Sequence, residues 1–296
     1  MEKEIRIIGV PMDLGQNHRG VDMAPSAIRY AGLYTVLTAH GYKVHDHGDL
    51  QVPQRYGLKG VTSTNLNRAI EQGCELTCQV GRQAATNGQS AIFLGGDHTI
   101  ALGSICGINQ EKNVGVIWFD AHGDCNTPAT SPSGNIHGMS LAMLLGHGPS
   151  ELVNVGGEGA CLTPEDVVLL GVRCLDEGER TFLHDLGVAV FTMRDIDEQG
   201  MAAVMTKILH QLRHCSRLHV SLDMDGLDPK DAPGVGTPCS GGITYREAQL
   251  AMEIIADTGR CRSMDIVEIN PILDQANKTA RIGVELAASL AGKTIL

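Results

Sequence analysis

Three short runs carry side chains suited to metal binding: Gly95-Gly96-Asp97-His98-Thr99, Asp120-Ala121-His122-Gly123-Asp124 and Asp223-Met224-Asp225. In the last two, acids and imidazole recur at every second residue, which in an extended segment points them to one side. Burying the carboxylates of Asp120, Asp124, Asp223 and Asp225 together without cations would force some of them to hold protons. Two divalent cations neutralise four carboxylates and one does not. The count therefore favours a binuclear centre, with His98 and His122 supplying one nitrogen each. Oxygen-rich ligation with a minority of imidazole suits Mn2+, or Co2+, Ni2+ or Fe2+, better than structural Zn2+. A water bridging two such ions would be acidified, giving a hydroxide nucleophile near neutral pH.

These runs need a scaffold that brings them together. Candidate strands are Ile5–Val10, Tyr42–His45, Ala91–Leu94, Val114–Phe119, Val167–Gly171, Val188–Phe191, Leu218–Leu222 and Ser263–Val267. Helical patterns lie between them at Pro25–His40, Thr64–Asn87, Ile100–Gln110, Met139–Leu145, Glu177–Leu186, Asp195–His214, Thr244–Asp257 and Lys278–Ala291, with Thr64 and Thr244 as N-caps. Apolar strands alternating with helices imply a three-layer αβα fold with a mostly parallel, roughly eight-stranded sheet. The chain reads as a single domain over residues 1–296. Ligands of such sheets bind beyond the carboxyl ends of the strands. The metal runs follow the third, fourth and seventh strands, and Glu268-Ile269-Asn270-Pro271 follows the eighth.

With a net charge of −11, the chain is a poor partner for nucleic acid or an anionic membrane. The opening apolar run is too short for a signal peptide, and no stretch reaches the length of a membrane span. Nine cysteines without such a signal read as reduced thiols of a cytoplasmic protein, and Cys74 and Cys78 as packing residues. Several other polar groups have bland readings. His45-Asp46-His47-Gly48-Asp49 is expected as a solvated turn after the second strand, and His210 with His214 as a surface pair. Trp118 is expected to pack in the core, and Asp22 and Asp228 to serve turns or support.

The same residues resemble the ureohydrolase family, and within it the bacterial arginases. The three metal runs, with Ser221-Leu222-Asp223-Met224-Asp225-Gly226-Leu227-Asp228-Pro229, match the superfamily motifs. Ser133-Gly134-Asn135-Ile136-His137-Gly138, Gly9-Val10-Pro11-Met12-Asp13-Leu14-Gly15, Gly20-Val21-Asp22-Met23 and Asn270-Pro271-Ile272-Leu273-Asp274 are narrower and look like arginase. The resemblance implies an arginase/deacetylase-like fold and two Mn2+ per chain, with Co2+ or Ni2+ as substitutes. It places one ion on His98, Asp120, Asp124 and Asp223 and the other on Asp120, His122, Asp223 and Asp225. The implied reaction cleaves the guanidinium group of L-arginine to L-ornithine and urea by a metal-bridging hydroxide. Asp124 would carry a proton to the leaving amine, His137 would shuttle protons to solvent, and Glu268 would pair with the guanidinium. Asn126, Ser131 and Ser133 would contact the substrate α-carboxylate and Asp176 its α-amino group, with Glu179 and Thr237 also at the pocket. A homotrimer or homohexamer is implied as well. Cys174 departs from the pattern, since many animal relatives carry an acid there.

Other readings predict different residues. An agmatinase, guanidinobutyrase or formiminoglutamase-like enzyme would not need Asp176 together with Asn126 and Ser133. A single-Zn2+ deacetylase-like hydrolase would not need this many carboxylates. A non-enzymatic interaction protein on the scaffold would need none of the metal residues, nor His137 and Glu268. A nucleotide-binding protein would carry a glycine fingerprint after its first strand, where this chain has Met12-Asp13-Leu14-Gly15.

Overall fold

The computed structural model describes residues 3–58, 62–111 and 113–293. In chain order, the strands are β1 (Glu4–Val10), β2 (Lys43–Asp49), β3 (Ser90–Gly95), β4 (Val114–Phe119), β5 (Val167–Val172), β6 (Ala189–Thr192), β7 (Arg217–Asp223) and β8 (Cys261–Val267). The helices are α1 (Ala24–Tyr30), α2 (Leu33–Ala39), α3 (Ser63–Thr86), α4 (Ala101–Ile108), α5 (Ser140–Leu144), α6 (Ser150–Val153), α7 (Glu177–Leu186), α8 (Met193–Gln199), α9 (Met201–Gln211), α10 (Tyr245–Asp257) and α11 (Lys278–Leu290). The strands form one sheet in the order β2-β1-β3-β8-β7-β4-β5-β6. Every pairing is parallel, so the expected mostly parallel sheet is parallel throughout.

Alternate residues of central strands such as β4 and β5 feed two separate cores. Val116, Trp118, Val167 and Leu169 pack on one face with α3 and α4, while Ile117, Phe119, Val168 and Leu170 pack on the other with α9, α10 and α11. This is why the central strands read as unbroken apolar runs: a sheet covered on both faces has no solvent side to mark in the sequence.

Several local expectations change. The helix expected over Pro25–His40 is two, broken where Gly32 adopts φ 95°; the one expected over Asp195–His214 is broken at Gly200, φ 78°. The cap of α3 is Thr62, whose hydroxyl accepts from the Asn65 N–H, rather than Thr64; Thr244 does cap α10. The run His45–Asp49 is not a turn after β2 but the greater part of the strand itself. As an edge strand β2 tolerates polar residues on both sides, and Arg29 of α1 holds it by pairing with Asp46 and Asp49. All nine cysteines are free thiols, with Cys74 and Cys78 buried in the core. No helix among the described residues is long and apolar enough to cross a membrane.

Candidate metal centre and substrate cavity

The four strands that end in chemistry-bearing residues, β3, β8, β7 and β4, are consecutive neighbours at the middle of the sheet. The exits of β3, β4 and β7 share a local device. Asp97, Asp120 and Asp223 each accept the N–H two residues on, from Thr99, His122 and Asp225 at 3.0, 2.7 and 2.8 Å. Such Asx turns end each strand sharply. At β4 and β7 they also hold the carboxylates rigidly above the sheet.

The four candidate ligand acids are almost wholly buried, at 0% exposure for Asp120, 6% for Asp124, 3% for Asp223 and 2% for Asp225. His98 Nδ1 faces oxygens of Asp124, Asp223 and Asp120 at 2.9, 3.2 and 3.3 Å. His122 Nδ1 faces Asp225 and the other oxygen of Asp120 at 3.1 and 3.4 Å. Ligand bonds of roughly 2.0–2.2 Å at octahedral to tetrahedral angles separate neighbouring donors by about 2.8–3.6 Å. All five separations fall inside that range. Asp120 belongs to both groups, one oxygen to each, as a bridging ligand must.

His98 supplies the sharpest test of fit to a metal ion. Its Nε2 lies 2.9 Å from Ser221 Oγ, which donates in turn to Asp265. With the proton on Nε2, the buried Nδ1 lone pair aims at three carboxylates and has no hydrogen-bond partner. Lone pair against carboxylates is repulsive unless a cation lies between them. Electrostatics say the same. Burial and the charge of Asp120 push the Asp124 carboxyl up to about 6, and burial with Asp225 and Asp120 pushes Asp223 well up.

Support comes from residues that the sequence reading passed over or placed only in the core. Trp118 is buried as expected, but its indole N–H also donates to Asp120 at 3.0 Å and its ring stacks on His98 at 4.1 Å. Beneath them, Asp265 of β8 accepts from Ser104 of α4 at 2.8 Å and lies 3.1 Å from His219 Nε2 of β7. The available signal was the spacing by two in His219/Ser221 and Ser263/Asp265 on strands that prove adjacent. Arg173 donates to the carbonyls of Asp225, Gly226, Leu227 and Cys239, tying down the segment that carries Asp225.

Above the carboxylates opens a cavity of about 310 Å³, walled by His122, Asp124, Asn126, Ser133, Asn135, His137, Cys174, Asp176, Glu179, Asp223, Asp225 and Thr237. The volume is that of a small-molecule site. Thr237 donates to Asp225 at 2.9 Å. Asn126 donates to Asp176 at 2.8 Å, and the other oxygen of Asp176 caps α7 through the Glu179 N–H. Glu179 accepts from the Cys125 N–H, and burial, with Asp124 and Asp176 adding to it, pushes its carboxyl up to about 8. Ser131 is not in the wall: its hydroxyl accepts from the Gly134 N–H and shapes the loop. Asn135 is in the wall, though only its motif drew notice in the sequence. Asp228 accepts from Lys230, Gly241 and Gly242 N–H groups, a turn duty as expected.

Glu268 lies one layer behind the wall. Its carboxylate accepts from the His98 N–H at 2.9 Å and Gln16 at 2.6 Å, and lies 3.0 Å from His137 Nδ1. Burial lowers the pKa of His137, but the Glu268 carboxylate overrides it and holds the imidazole at about 9. Asp124 and Glu268 both sit in the left-handed region, φ 47° and 63°, conformations that cost energy outside glycine and concentrate at functional positions.

Comparison with known proteins follows the same lines. The arginase family model matches residues 3–292. A Bacillus subtilis arginase is 50% identical over 297 residues, covering all of both chains, and a Bacillus caldovelox arginase is 47% identical over 99% of this chain and all of its own. The native crystal structure of the B. caldovelox arginase superposes with a TM-score of 0.96 over 99% of this chain and all of that one. Whole-length identity of this order joins a centre built as the metal motifs require, and on both grounds the chain belongs to the arginase family.

Proposed function

We propose that this chain hydrolyses L-arginine to L-ornithine and urea at a binuclear Mn2+ centre. The observation that carries the reading is the buried quartet of carboxylates, with the unpartnered His98 Nδ1 aimed into it. His98, Asp120, Asp124 and Asp223 would hold one ion, and Asp120, His122, Asp223 and Asp225 the other. Bound there, two divalent cations offset the carboxylate charge and lower the pKa of water.

The remaining groups have roles that their positions support. Asp124 overhangs both the ligand set and the cavity, and its raised pKa suits a group that takes a proton from water and returns it to the departing amine. In balance, water adds hydroxide to the guanidinium carbon, the bond to the substrate's side-chain nitrogen breaks, and that nitrogen takes the proton. His137 stands between Glu268 and the cavity and exchanges protons with solvent. Glu268 must trade one of its present donors for a guanidinium N–H to orient the substrate, and Gln16 and His137 are the two that can swing away. Asn126, Ser133 and Asp176 face the amino-acid end, while Ser131 acts by shaping their loop. Glu179 and Thr237 hold the Asp124 and Asp225 segments.

Mn2+ is the preferred metal, with Co2+ and Ni2+ as substitutes. A cytoplasmic location fits nine free thiols, and a homotrimer or homohexamer follows from the resemblance. The test is urea release after Mn2+ loading, comparing L-arginine with agmatine, which lacks the α-carboxylate. Strong preference for arginine is expected; equal or faster turnover of agmatine overturns the substrate assignment.

A further inference from the structure

At the opposite end of the sheet from the cavity, three residues of different types converge. Asp166 immediately precedes β5, and His214 and Cys215 close the turn after α9 that leads into β7. One ligand atom from each lies within 4.8 Å of the others. His214 Nε2 is 3.1 Å from Asp166 Oδ1, and the Cys215 thiol is 3.7 Å from the same oxygen. The groups differ in burial: the His214 side chain is 46% exposed, Asp166 19%, and Cys215 lies at the floor.

Each side chain is set so that one donor atom is left for the centre. His214 Nδ1 lies 3.2 Å from the Gln211 carbonyl, so in the neutral imidazole the proton sits there and the Nε2 lone pair faces the group. This is the arrangement by which metal-bound imidazoles are oriented. Asp166 Oδ2 caps its own turn by accepting from the Thr163 N–H and hydroxyl, so Oδ1 alone faces inward. Cys215 lies across the start of β4, where a side chain on Gly115 would meet its Sγ at 3.1 Å. The Arg260 guanidinium braces the turn by donating to the Leu212 and Cys215 carbonyls.

We propose that Asp166, His214 and Cys215 form a second, mononuclear metal site, selective for a borderline-soft divalent ion such as Zn2+ or Co2+, with water as the fourth ligand. Tetrahedral bonds of roughly 2.0–2.1 Å to N and O and about 2.3 Å to S would separate N from O by about 3.3 Å and S from O by about 3.6 Å. The observed 3.1 and 3.7 Å lie close to both, and Nε2 and Sγ are within 4.8 Å of each other. Thiolate and imidazole select against Mn2+, which the oxygen-rich centre prefers. Binding releases the Cys215 proton to solvent, the metal taking its place between Sγ and Asp166. The ion would pin the segment entering β5 to the turn entering β7, across the start of β4.

The ligand sets make the test clean, because none of the residues proposed to hold the catalytic ions is a cysteine. Co2+ is titrated into the Mn2+-loaded full-length protein while the thiolate-to-cobalt charge-transfer band is followed. One equivalent per chain is expected to develop the band, and Cys215→Ser to abolish it while urea release persists. His214→Gln, at a half-exposed position, should weaken Co2+ affinity at least about tenfold while the melting temperature of the protein without Co2+ stays close to that of the parent. Absence of the band, its survival in Cys215→Ser, or unchanged affinity in His214→Gln each overturns the proposal.

Discussion

If Asp120 bridges two cations, neutralising it should remove twice the metal-dependent stability that a one-site ligand does. A ligand that binds only the folded state at about one hundred times its dissociation constant stabilises by about 2.7 kcal/mol, so two sites contribute about 5.4 kcal/mol. Unfolding entropy near 2.1 cal/mol/K per residue amounts to about 0.6 kcal/mol/K for a chain of this length, so full loading should raise the melting temperature by about 9 °C. Asp124 faces only His98, and His122 only the Asp120–Asp225 side. Asp124→Asn and His122→Asn should therefore each retain about half the gain, and Asp120→Asn almost none. The quantity compared is loaded minus metal-free melting temperature for each variant, by scanning calorimetry at one fixed Mn2+ concentration. This cancels whatever each substitution does to the metal-free protein, where removing a crowded carboxylate relieves repulsion. An Asp120→Asn variant that keeps as much of the gain as His122→Asn would refute the shared ligand.

Three further outcomes follow from the same geometry. Trp118 is the sole tryptophan and contacts both His98 and Asp120, so its emission should be quenched as Mn2+ is titrated into metal-free protein, and Asp120→Asn should lose the response; constant emission during a titration that restores urea release contradicts this. His137, held at about 9 by Glu268, should titrate by NMR well above an ordinary histidine in the metal-free protein, and Glu268→Gln should bring it down towards about 6.5. Since the folded pKa is the higher one, the stability that this pair contributes is fully present below about 6.5 and lost as pH rises through about 9, a slope that Glu268→Gln should flatten. Asp176→Asn keeps a good helix cap for α7 but loses a charge at the cavity, so KM for arginine should rise about tenfold or more with little change in melting temperature; an unchanged KM places the amino group elsewhere.

What could be read from the sequence was what is local. Spacing by two at strand ends located the candidate ligands, because side-chain alternation survives to the last residue of a strand and the Asx turn extends it by one step. The buried polar column carries the same spacing by two, but spacing alone does not say which strands lie side by side. Ser221 and His219 alternate with the apolar residues of β7, and their partners Ser263 and Asp265 sit more than forty residues on. Only the pairing of β7 with β8 aligns Ser221 with Asp265. Helix breaks at Gly32 and Gly200 were likewise hidden, since apolar periodicity continued through both. Glu268 was legible as a strand-exit acid but not as a residue behind the wall, because its φ of 63° turns it away from where alternation would aim it.

The strand order explains why four separate motifs make one centre. Strands β3 and β4 come from one stretch of the chain and β7 and β8 from another, yet parallel pairing sends all four carboxyl ends to the same edge. Register then decides which residues meet: Trp118 pairs with Ser221, and Ser221 with Asp265. This row lies just below the exits, and from it the indole and the hydroxyl reach up to Asp120 and His98. A slip of one residue of β7 against β4 would turn Ser221 to the opposite core and leave His98 without its orienting bond. The apolar packing on the two faces therefore sets the metal geometry as well as the stability of the sheet. Substitutions in the core of β7 that leave every ligand in place should still change metal affinity in proportion to how far they shift Ser221.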